Sequence, residues 1–314
     1  MDIIRYRADL YDQWNTFVAC SKNGTFLLDR HYMDYHNDRF EDHSLLFLDG
    51  DKLLAVLPCN VHGNTLYSHQ GLTYGGLVMN EHCTTVRVME MFKILNHYLS
   101  AQGIEHVVYK AIPHIYHLMP SEEDLYALTT VCHAHLVQRD VSSAIHCQDA
   151  MKWRRDRHYG ANKAHTEGVT VSRSEDYDIF WPILEDNLLR CHGVKPVHTL
   201  EEMTLLKSRF PDAIQLYLAH SANGEALAGT VLYITRQVVH AQYISATAEG
   251  KHQHAVDALF DRIIRHDYAS HPYIDFGKST ESDGTVLNES LLYQKEGFGA
   301  RAVCYDWWEW DITR

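Results

Sequence analysis

Residues 273–301 read YIDFGKSTESDGTVLNESLLYQKEGFGAR, a stretch in which four kinds of local structure follow one another. The apolar start, residues 273–276, predicts a strand, and the small polar residues 277–284 predict a loop after it. Residues 285–296 have the apolar spacing of an amphipathic helix. Gly297 is the expected helix stop, because glycine readily adopts the left-handed conformation that ends helices.

One edge of this predicted helix is polar. Leu287 and Leu291 recur at the spacing that turns apolar side chains toward a core. Asn288 and Lys295 lie seven residues apart and therefore share a stripe on another side. We expect this stripe to border the polar loop, which makes both residues candidates for contact with a ligand.

Composition and charge describe a folded protein that is acidic overall. The chain has 314 residues, of which 46% are hydrophobic and 22% charged, enough for two domains with cores of their own. Its net charge of −13 argues against broad binding to nucleic acid or anionic lipid. The charged N-terminal residues lack a signal-peptide core, and no apolar run approaches a membrane span, so we predict a cytoplasmic protein.

Neither cysteine nor histidine predicts a special site. The seven cysteines are scattered without a Cys-x-x-Cys pair, which favours reduced thiols. The 23 histidines form local pairs, but none belongs to a recognisable metal motif such as His-Glu-x-x-His. A composition rich in histidine explains these pairs better than a metal centre, and no metal is predicted.

The order of predicted elements occurs twice along the chain. In each half a strand and a helix precede hairpin strands, and an amphipathic helix, a further strand and a further helix follow. Strands in hairpins with helices between them are typical of a mixed sheet with helices on its faces. The pattern predicts an α/β or α+β protein with two domains, residues 1–149 and 150–314.

Three short motifs fix local structure in this prediction. Asn223-Gly224 between two apolar strands is a strong signal for a hairpin turn. Thr199 and Glu202 have the spacing of a capping box at the start of a helix. The Ser-x-x-Asp sequence from Ser121 predicts a similar cap in the first half.

Two motifs within residues 273–301 carry a family resemblance. LLYQKEGFGA, residues 291–300, resembles the closing motif of the GNAT acyltransferase fold, and IDFGKSTESDG, residues 274–284, resembles the Fem family of peptidyltransferases in the same superfamily. The resemblance implies two tandem GNAT-like domains, each a mixed, mostly antiparallel sheet flanked by helices, that face each other across a cleft. It also implies a transferase that moves an acyl group from acyl-CoA, or an aminoacyl group from aminoacyl-tRNA, to an amine in that cleft.

The predicted donor loop departs from the GNAT pattern. GNAT enzymes hold their donor with backbone amides at a helix N-terminus, where unpaired N–H groups meet pyrophosphate oxygens. The corresponding stretch here keeps Gly250 and Lys251 and then has His252 in place of further glycines, so close approach of coenzyme A is hindered. The candidate donor-binding residues are Gly250, Lys251, His252, Asn288 and Lys295.

Four residues are candidates for the chemistry of amine acylation. His192 and His198 lie in a long polar loop, and either could accept the amine proton or serve only as a hydrogen-bonding residue. Lys278, just after a predicted strand, could stabilise the developing oxyanion, although an ordinary surface lysine fits the same position. By resemblance to GNAT enzymes, Tyr293 would protonate the leaving group, and simple packing is the alternative.

Acceptor-binding candidates come from both halves of the chain. SHQGLTYGGL, residues 68–77, is similar to the glycine-rich segment that borders the acceptor cleft in Fem proteins, and glycine lets a ligand approach the backbone closely. In the second half, polar residues in and after the predicted strands would point toward the same cleft edge. The candidates are Ser68, His69, Tyr74, Tyr243, Ser279 and Glu281.

A basic stretch opens the second half of this acidic chain. Lys152, Arg154, Arg155 and Arg157 could hold the phosphates of tRNA, although a solvated helix face has the same composition. The rival to an enzyme is a non-catalytic GNAT-fold protein that binds a peptide, glycan or protein partner in the cleft. The incomplete glycine loop favours this rival.

Overall fold

The chain forms two compact units in its computed structural model, which describes residues 1–312 apart from the side chain of His192. Unit 1 contains Met1–Val141, Thr280–Val286 and the residues from Cys304 onward, and unit 2 contains Ser142–Ser279 and Leu287–Val303. The division into domains at residues 149 and 150 stays a prediction.

Both units combine strands with helices. The strands are β1 (Asp2–Arg5), β2 (Glu41–Asp42), β3 (Leu45–Asp49), β4 (Lys52–Leu57), β5 (Asn60–His62), β6 (Thr65–Tyr67), β7 (Val78–Met79), β8 (His106–Lys110), β9 (His135–His146), β10 (Thr170–Ser174), β11 (Ile214–His220), β12 (Ala226–Ile234), β13 (Val238–Ala246), β14 (Tyr273–Lys278), β15 (Thr280–Glu281), β16 (Val286–Leu287) and β17 (Arg301–Asp311). The helices are α1 (Tyr11–Cys20), α2 (Arg30–Met33), α3 (Thr85–Ala101), α4 (Glu123–Thr130), α5 (Arg155–Thr166), α6 (Tyr177–His192), α7 (Leu200–Arg209), α8 (Ala248–His252), α9 (Ala255–Arg262) and α10 (Glu289–Gly297).

Unit 1 holds two groups of paired strands around an apolar core. In the first group, β3 lies antiparallel between β1 and β4, and β7 pairs with β4. In the second, β8 pairs antiparallel with β17 and parallel with β6, and β5 and β2 follow β6. Helix α3 contributes Val88, Met91, Phe92 and Leu95 to the core of this unit.

In unit 2 the strands follow the order β10, β11, β12, β13, β14 and β9. Neighbouring strands from β10 to β13 are antiparallel, whereas β13 and β14 run parallel. The parallel pairing covers three residues of each strand and ends at His240 and Asp275, although β13 continues to Ala246 and β14 to Lys278. The C-terminal parts of these two strands are therefore unpaired with each other, next to the polar loop that follows β14.

Two of the local motif predictions are confirmed. Strands β11 and β12 are antiparallel and are joined at Asn223-Gly224, where Gly224 has a φ of +83°. Thr199 caps α7, because its hydroxyl accepts from the amide of Glu202 at 3.2 Å while the Glu202 carboxylate accepts from the amide of Thr199 at 2.8 Å.

The prediction of a cap at Ser121 is wrong. Helix α4 begins at Glu123, and no side chain caps its N-terminus. The Ser121 hydroxyl instead donates to the backbone oxygen of Met119 at 2.9 Å. A local side chain to backbone bond has thus replaced the cap that the spacing suggested.

The predicted helix over residues 285–296 begins too early. Ser282 and Asp283 adopt left-handed conformations, and the amide of Thr285 closes a turn on the oxygen of Ser282 at 3.2 Å. Residues of β16 then pair with β15, so Leu287 is exposed and is not a core residue. Helix α10 starts after Asn288, whose side chain accepts from the amide of Leu291.

The predicted stop at Gly297 is also displaced. Gly297 is the last residue of α10, and the left-handed residue that follows the helix is Gly299, with a φ of +88°. Gly297 is buried instead against the side chain of Arg154, because a Cβ there would lie 2.9 Å from a guanidinium nitrogen. Within residues 1–312, no helix is both long and apolar enough to cross a membrane.

Candidate functional site

A buried carboxylate lies where β13 and β14 stop pairing. Asp275 is fully buried, and its Oδ2 lies 2.7 Å from Nδ1 of His240 on the neighbouring strand. Its Oδ1 accepts from the Ser142 hydroxyl at 2.5 Å and from the amide of Gly277 at 3.3 Å. Both carboxylate oxygens are therefore bound, as an ionised group in the interior requires.

Lys295 on α10 holds the loop that follows β14. Its ammonium donates to the backbone oxygens of Gly277 at 2.7 Å and Lys278 at 2.8 Å, and to the Ser279 hydroxyl at 2.9 Å. Burial lowers the pKa of Lys295 to about 8, although the nearby charge of Asp275 opposes that shift. All three donors of the ammonium are thus used inside unit 2, and Lys295 shapes the loop.

Replacing Lys295 with methionine should lower the free energy of unfolding by about 2 kcal/mol. The change keeps the side-chain volume but leaves two buried backbone oxygens and one hydroxyl without their donor. Chemical denaturation of the parent and the variant measures the difference. Lys163→Met, which removes a part-exposed pair with Glu167 on α5, is the control and should cost about 0.5 kcal/mol or less. Equal stability of Lys295→Met and the parent would refute the role of Lys295.

The other candidate residues at this loop are divided between the units. Lys278 is the last residue of β14 and is half-buried, and Ser279 after it is buried and bound by Lys295. Glu281 belongs to β15 in unit 1 and is exposed. Asn288 caps α10, and its amide donates to the backbone oxygen of Ser279 at 2.8 Å.

A second histidine contact lies on the same unit. Nδ1 of His198 is 2.7 Å from the Tyr243 hydroxyl, and the backbone amide of His198 also donates to that hydroxyl at 3.3 Å. Burial raises the pKa of Tyr243 to about 12, so its phenol stays protonated at neutral pH. The side chain of the other candidate base, His192, lies outside the described part of the structure.

Tyr293 lies on the outside of α10. Its side chain is 62% exposed, and the Arg154 guanidinium carbon lies 3.4 Å from the centre of its ring. A guanidinium nitrogen of Arg154 also donates to the backbone oxygen of Tyr293 at 2.8 Å. The ring therefore stacks on a cation at the surface and does not pack into a core.

Comparison with known proteins relates part of this chain to a described family. Residues 151–283 match the family model described as "Acetyltransferase (GNAT) domain". This part of the chain is similar to a GNAT acetyltransferase domain. No curated protein matches the chain significantly in sequence.

Solved structures with the same fold extend over nearly the whole chain. FemX is 10% identical with a TM-score of 0.69, covering 98% of this chain and 97% of its own. L-PGS from Bacillus licheniformis is 13% identical with a TM-score of 0.61, covering 96% of this chain and 92% of its own. A tandem GNAT protein from the clavulanic acid biosynthesis pathway is 9% identical with a TM-score of 0.54, covering 100% and 99%. These likenesses confirm the predicted tandem GNAT-like fold.

The predicted donor loop is folded on itself. Gly250 is buried, and a Cβ there would lie 2.1 Å from the backbone oxygen of Leu227. The amide of Gly250 donates to the Thr247 hydroxyl at 2.9 Å, and the amide of Lys251 donates to the Thr247 oxygen at 3.0 Å. These amides are therefore already bound, while the side chains of Lys251 and His252 are exposed.

The helix after that loop already carries a carboxylate in its first turn. Asp257 is 3% exposed, and its oxygens contact Arg157 at 2.7 Å and Nδ1 of His254 at 3.1 Å. Gly160 on α5 packs so closely that a Cβ there would lie 2.1 Å from Asp257 Oδ2. A carboxylate at the N-terminus of α9 interacts favourably with the helix dipole and repels a second anion.

The basic residues of the GNAT domain are engaged to different degrees. Arg154 and Arg157 both form ion pairs with Asp156, at 2.8 and 3.3 Å. Lys152 and Arg155 are exposed, and neither forms an ion pair among the described residues. Arg154 and Arg157, two of the four predicted tRNA contacts, thus form ion pairs with a carboxylate of this chain.

The three acceptor candidates from the first half are buried within unit 1. The Ser68 hydroxyl accepts from the amide of Lys110 at 2.6 Å, and the Tyr74 hydroxyl lies 2.9 Å from that of Thr25. His69 is 4% exposed, and burial lowers its pKa to about 3. The Ser68 and Tyr74 hydroxyls contact groups of the same unit, whereas Nδ1 of His69 is buried without a hydrogen-bond partner among the described residues. The assignment of all three residues to an acceptor stays a prediction.

Proposed function

We propose that this chain is a GNAT-fold N-acyltransferase that takes its acyl group from aminoacyl-tRNA in preference to acyl-CoA. The observation that carries the proposal is the end of pairing between β13 and β14 within a GNAT domain. Tyr243 and Lys278 lie beyond this point, where β13 and β14 no longer pair with each other, and the acyl group would lie between them. Polar groups at the carboxyl ends of parallel strands are the usual place for a site.

The reaction would be direct attack of an amine on the acyl carbonyl. The amine nitrogen bonds to the carbonyl carbon, the bond from that carbon to the leaving oxygen or sulfur breaks, and the amine proton ends on the leaving atom. Lys278 would stabilise the oxyanion that develops during this step. Tyr293 would supply a proton to the leaving group, and His198 or His192 would take the proton of the amine.

The choice of donor rests on the loop before α9. The backbone amides of Gly250 and Lys251 are hydrogen-bonded within the chain, and Gly250 allows close packing against β12. The Asp257 carboxylate, which is paired with Arg157, occupies the first turn of α9, where a pyrophosphate would otherwise bind. Both features oppose the binding of coenzyme A in the pose that is usual for GNAT enzymes. They favour a donor that is held by other contacts.

The exposed cations Lys152 and Arg155 are the contacts that we assign to the tRNA phosphates. Each neutralised phosphate releases counterions, so the affinity of the complex should fall steeply as salt rises. Two cations provide little affinity for tRNA in an acidic chain. Contacts with the aminoacylated 3′ end of the tRNA are therefore a necessary part of binding.

Binding measurements test the choice of donor. We expect acetyl-CoA to bind weakly in calorimetry and aminoacyl-tRNA to bind more tightly in a filter assay. Lys152→Ala with Arg155→Ala should weaken tRNA binding and reduce the slope of log affinity against log salt by about 2. Lys52→Ala, an exposed change at the start of β4, is the control and should leave both unchanged. Sub-micromolar binding of acetyl-CoA that is unaffected by changes at Lys251 and His252 would contradict the proposal.

A non-catalytic binding protein is the second candidate. The closed donor loop favours it, because a fold that has lost its donor site can still bind a peptide, glycan or partner. A transfer assay distinguishes the acyltransferase from the binding protein. A binding protein is stabilised by its ligand but forms no new covalent bond.

A further inference from the structure

His240 and Asp275 form a histidine–carboxylate pair at the last paired register of β13 and β14. His240 belongs to no sequence motif, Asp275 lies in the motif of residues 274–284, and neither is among the candidates discussed above for the reaction. We propose that His240 is the general base of the transfer reaction and that Asp275 positions it. This inference rests on the proposed function and replaces the two loop histidines as the proton acceptor.

The orientation of the imidazole supports this role. Its Nδ1 lies 2.7 Å from the Asp275 carboxylate, which can only accept, so Nδ1 carries the proton of the neutral ring. Nε2 is then the basic nitrogen. Among the described residues it has no hydrogen-bond partner, and it is not one of the buried unpartnered atoms. The ring is held firmly, with 12% of its side chain exposed, while its basic edge remains accessible.

The carboxylate is fixed by groups on two sides. Ser142 on β9 and the amide of Gly277 both donate to Oδ1, at 2.5 and 3.3 Å, which directs Oδ2 to the imidazole. Asp275 is fully buried, so its charge is poorly screened by solvent. An imidazolium that forms during the reaction would therefore be stabilised by this carboxylate, as in other histidine–aspartate pairs of acyl-transfer enzymes.

Among the described residues, His254 and Asp257 also join a part-exposed ring to a buried carboxylate, but Asp257 is shared with Arg157 at 2.7 Å. Two further histidine contacts lack the buried carboxylate. His106 and Asp311 are 2.9 Å apart, but their side chains are 30% and 86% exposed. His198 is buried, and its Nδ1 contacts the phenol of Tyr243 and not a carboxylate. The pair at His240 thus combines a buried carboxylate with an accessible ring nitrogen.

The proton transfer completes the reaction described above. Nε2 of His240 takes a proton from the amine as its nitrogen bonds to the acyl carbon. The bond to the leaving oxygen or sulfur then breaks as Tyr293 gives its proton to that atom, and the proton of the imidazolium passes to solvent while the Tyr293 phenolate takes one back. The products are an amide and a protonated leaving group, and His240 is again neutral.

Asp275→Asn provides a specific test of positioning. Ser142 and Gly277 would continue to donate to the Oδ1 position, so the amide oxygen of the new side chain would stay there. Its NH₂ group would then face Nδ1 of His240 and donate to it. The proton of the neutral imidazole must move to Nε2, which removes the basic edge without removing the histidine.

Long-range nitrogen–proton NMR of the imidazoles measures this tautomer without any substrate. We expect the neutral His240 ring to carry its proton on Nδ1 in the parent and on Nε2 in Asp275→Asn. The matched control, Asp311→Asn at the exposed His106 pair, should leave the His240 signals unchanged. A parent ring protonated on Nε2 would overturn the inference regardless of any activity.

Transfer rates provide the second test, with aminoacyl-tRNA as donor and hydroxylamine as a probe amine. His240→Gln and Asp275→Asn should each lower kcat by about 10²–10⁴-fold, and added imidazole should partly restore His240→Gly. Undiminished turnover by His240→Gln would overturn the role of His240 and leave the proposed function intact. No turnover by the parent with aminoacyl-tRNA or acetyl-CoA would overturn both.

Discussion

Lys278→Ala is expected to slow acyl transfer by about a hundredfold, which corresponds to about 3 kcal/mol of transition-state stabilisation. Lys278 is the last residue of β14, where it pairs with Ser142 of β9, and its backbone oxygen accepts from the Lys295 ammonium at 2.8 Å. A cation whose main chain is anchored in this way can meet the developing oxyanion with little reorganisation. The effect should appear in kcat, because the oxyanion exists only in the transition state.

Stability separates this effect from a loss of structure. The Lys278 side chain is half-buried and ends a strand, so the alanine variant should melt within a few degrees of the parent. Tyr293→Phe, which removes an exposed hydroxyl from α10, should also reduce transfer without unfolding the protein. Lys163→Ala on α5 is the control and should retain the parent rate. If Lys278→Ala and Tyr293→Phe both turn over as fast as the parent, the proposed mechanism is wrong.

Gly250→Ala is expected to lower the free energy of unfolding by about 3 kcal/mol. The added Cβ would lie 2.1 Å from the backbone oxygen of Leu227, a distance that requires the backbone to move. That oxygen accepts from the amide of Thr247 at 2.9 Å, so the movement would also break the contact between β12 and the donor loop. Chemical denaturation of the two proteins measures the loss.

A neighbouring change serves as the control for this loop. Lys251→Ala removes an exposed side chain that contacts only Asn187, at 2.9 Å, and should cost about 0.5 kcal/mol or less. The packing role of Gly250 predicts a large loss of stability in the glycine variant alone. A Gly250→Ala protein as stable as the parent, but with weaker binding of acetyl-CoA, would instead identify Gly250 as a donor-binding residue.

Local chemistry made part of the fold predictable from sequence. The hairpin at Asn223-Gly224 and the capping box at Thr199 and Glu202 depend on residues within four positions of each other. Their geometry is determined by backbone conformations that few residues adopt, and the sequence shows those residues directly. The tandem fold was accessible through the motifs of residues 273–301.

Competition between local structures explains the error at α10. The residues before Asn288 have helical spacing, but three consecutive positions, Ser282, Asp283 and Gly284, adopt positive φ and form a tight turn. Strand pairing of β16 then occupies the residues that the spacing assigned to the helix. The Asn288 cap was visible as an asparagine three residues before Leu291, and would have given the correct start.

The candidate site depended on contacts between distant residues. His240 and Asp275 are 35 residues apart, and their contact requires the parallel register of β13 and β14. The available signal was weaker, namely polar residues inside two largely apolar strands, where a buried polar side chain needs a partner. The charge of Lys295 was also misleading. Its place on a predicted polar edge suggested contact with a ligand, but the side chain is buried and donates to backbone oxygens.

The most direct test of the account is whether the purified chain forms an amide from aminoacyl-tRNA. The measurement is a single-turnover reaction with tRNA carrying a radiolabelled amino acid and a panel of amines, followed by counting of label in base-stable product. We predict transfer by the parent, little transfer from labelled acetyl-CoA, and about a hundredfold slower transfer by Lys278→Ala. Absence of amide product from either donor, with the protein folded and tRNA bound, would contradict the account and identify the chain as a binding protein.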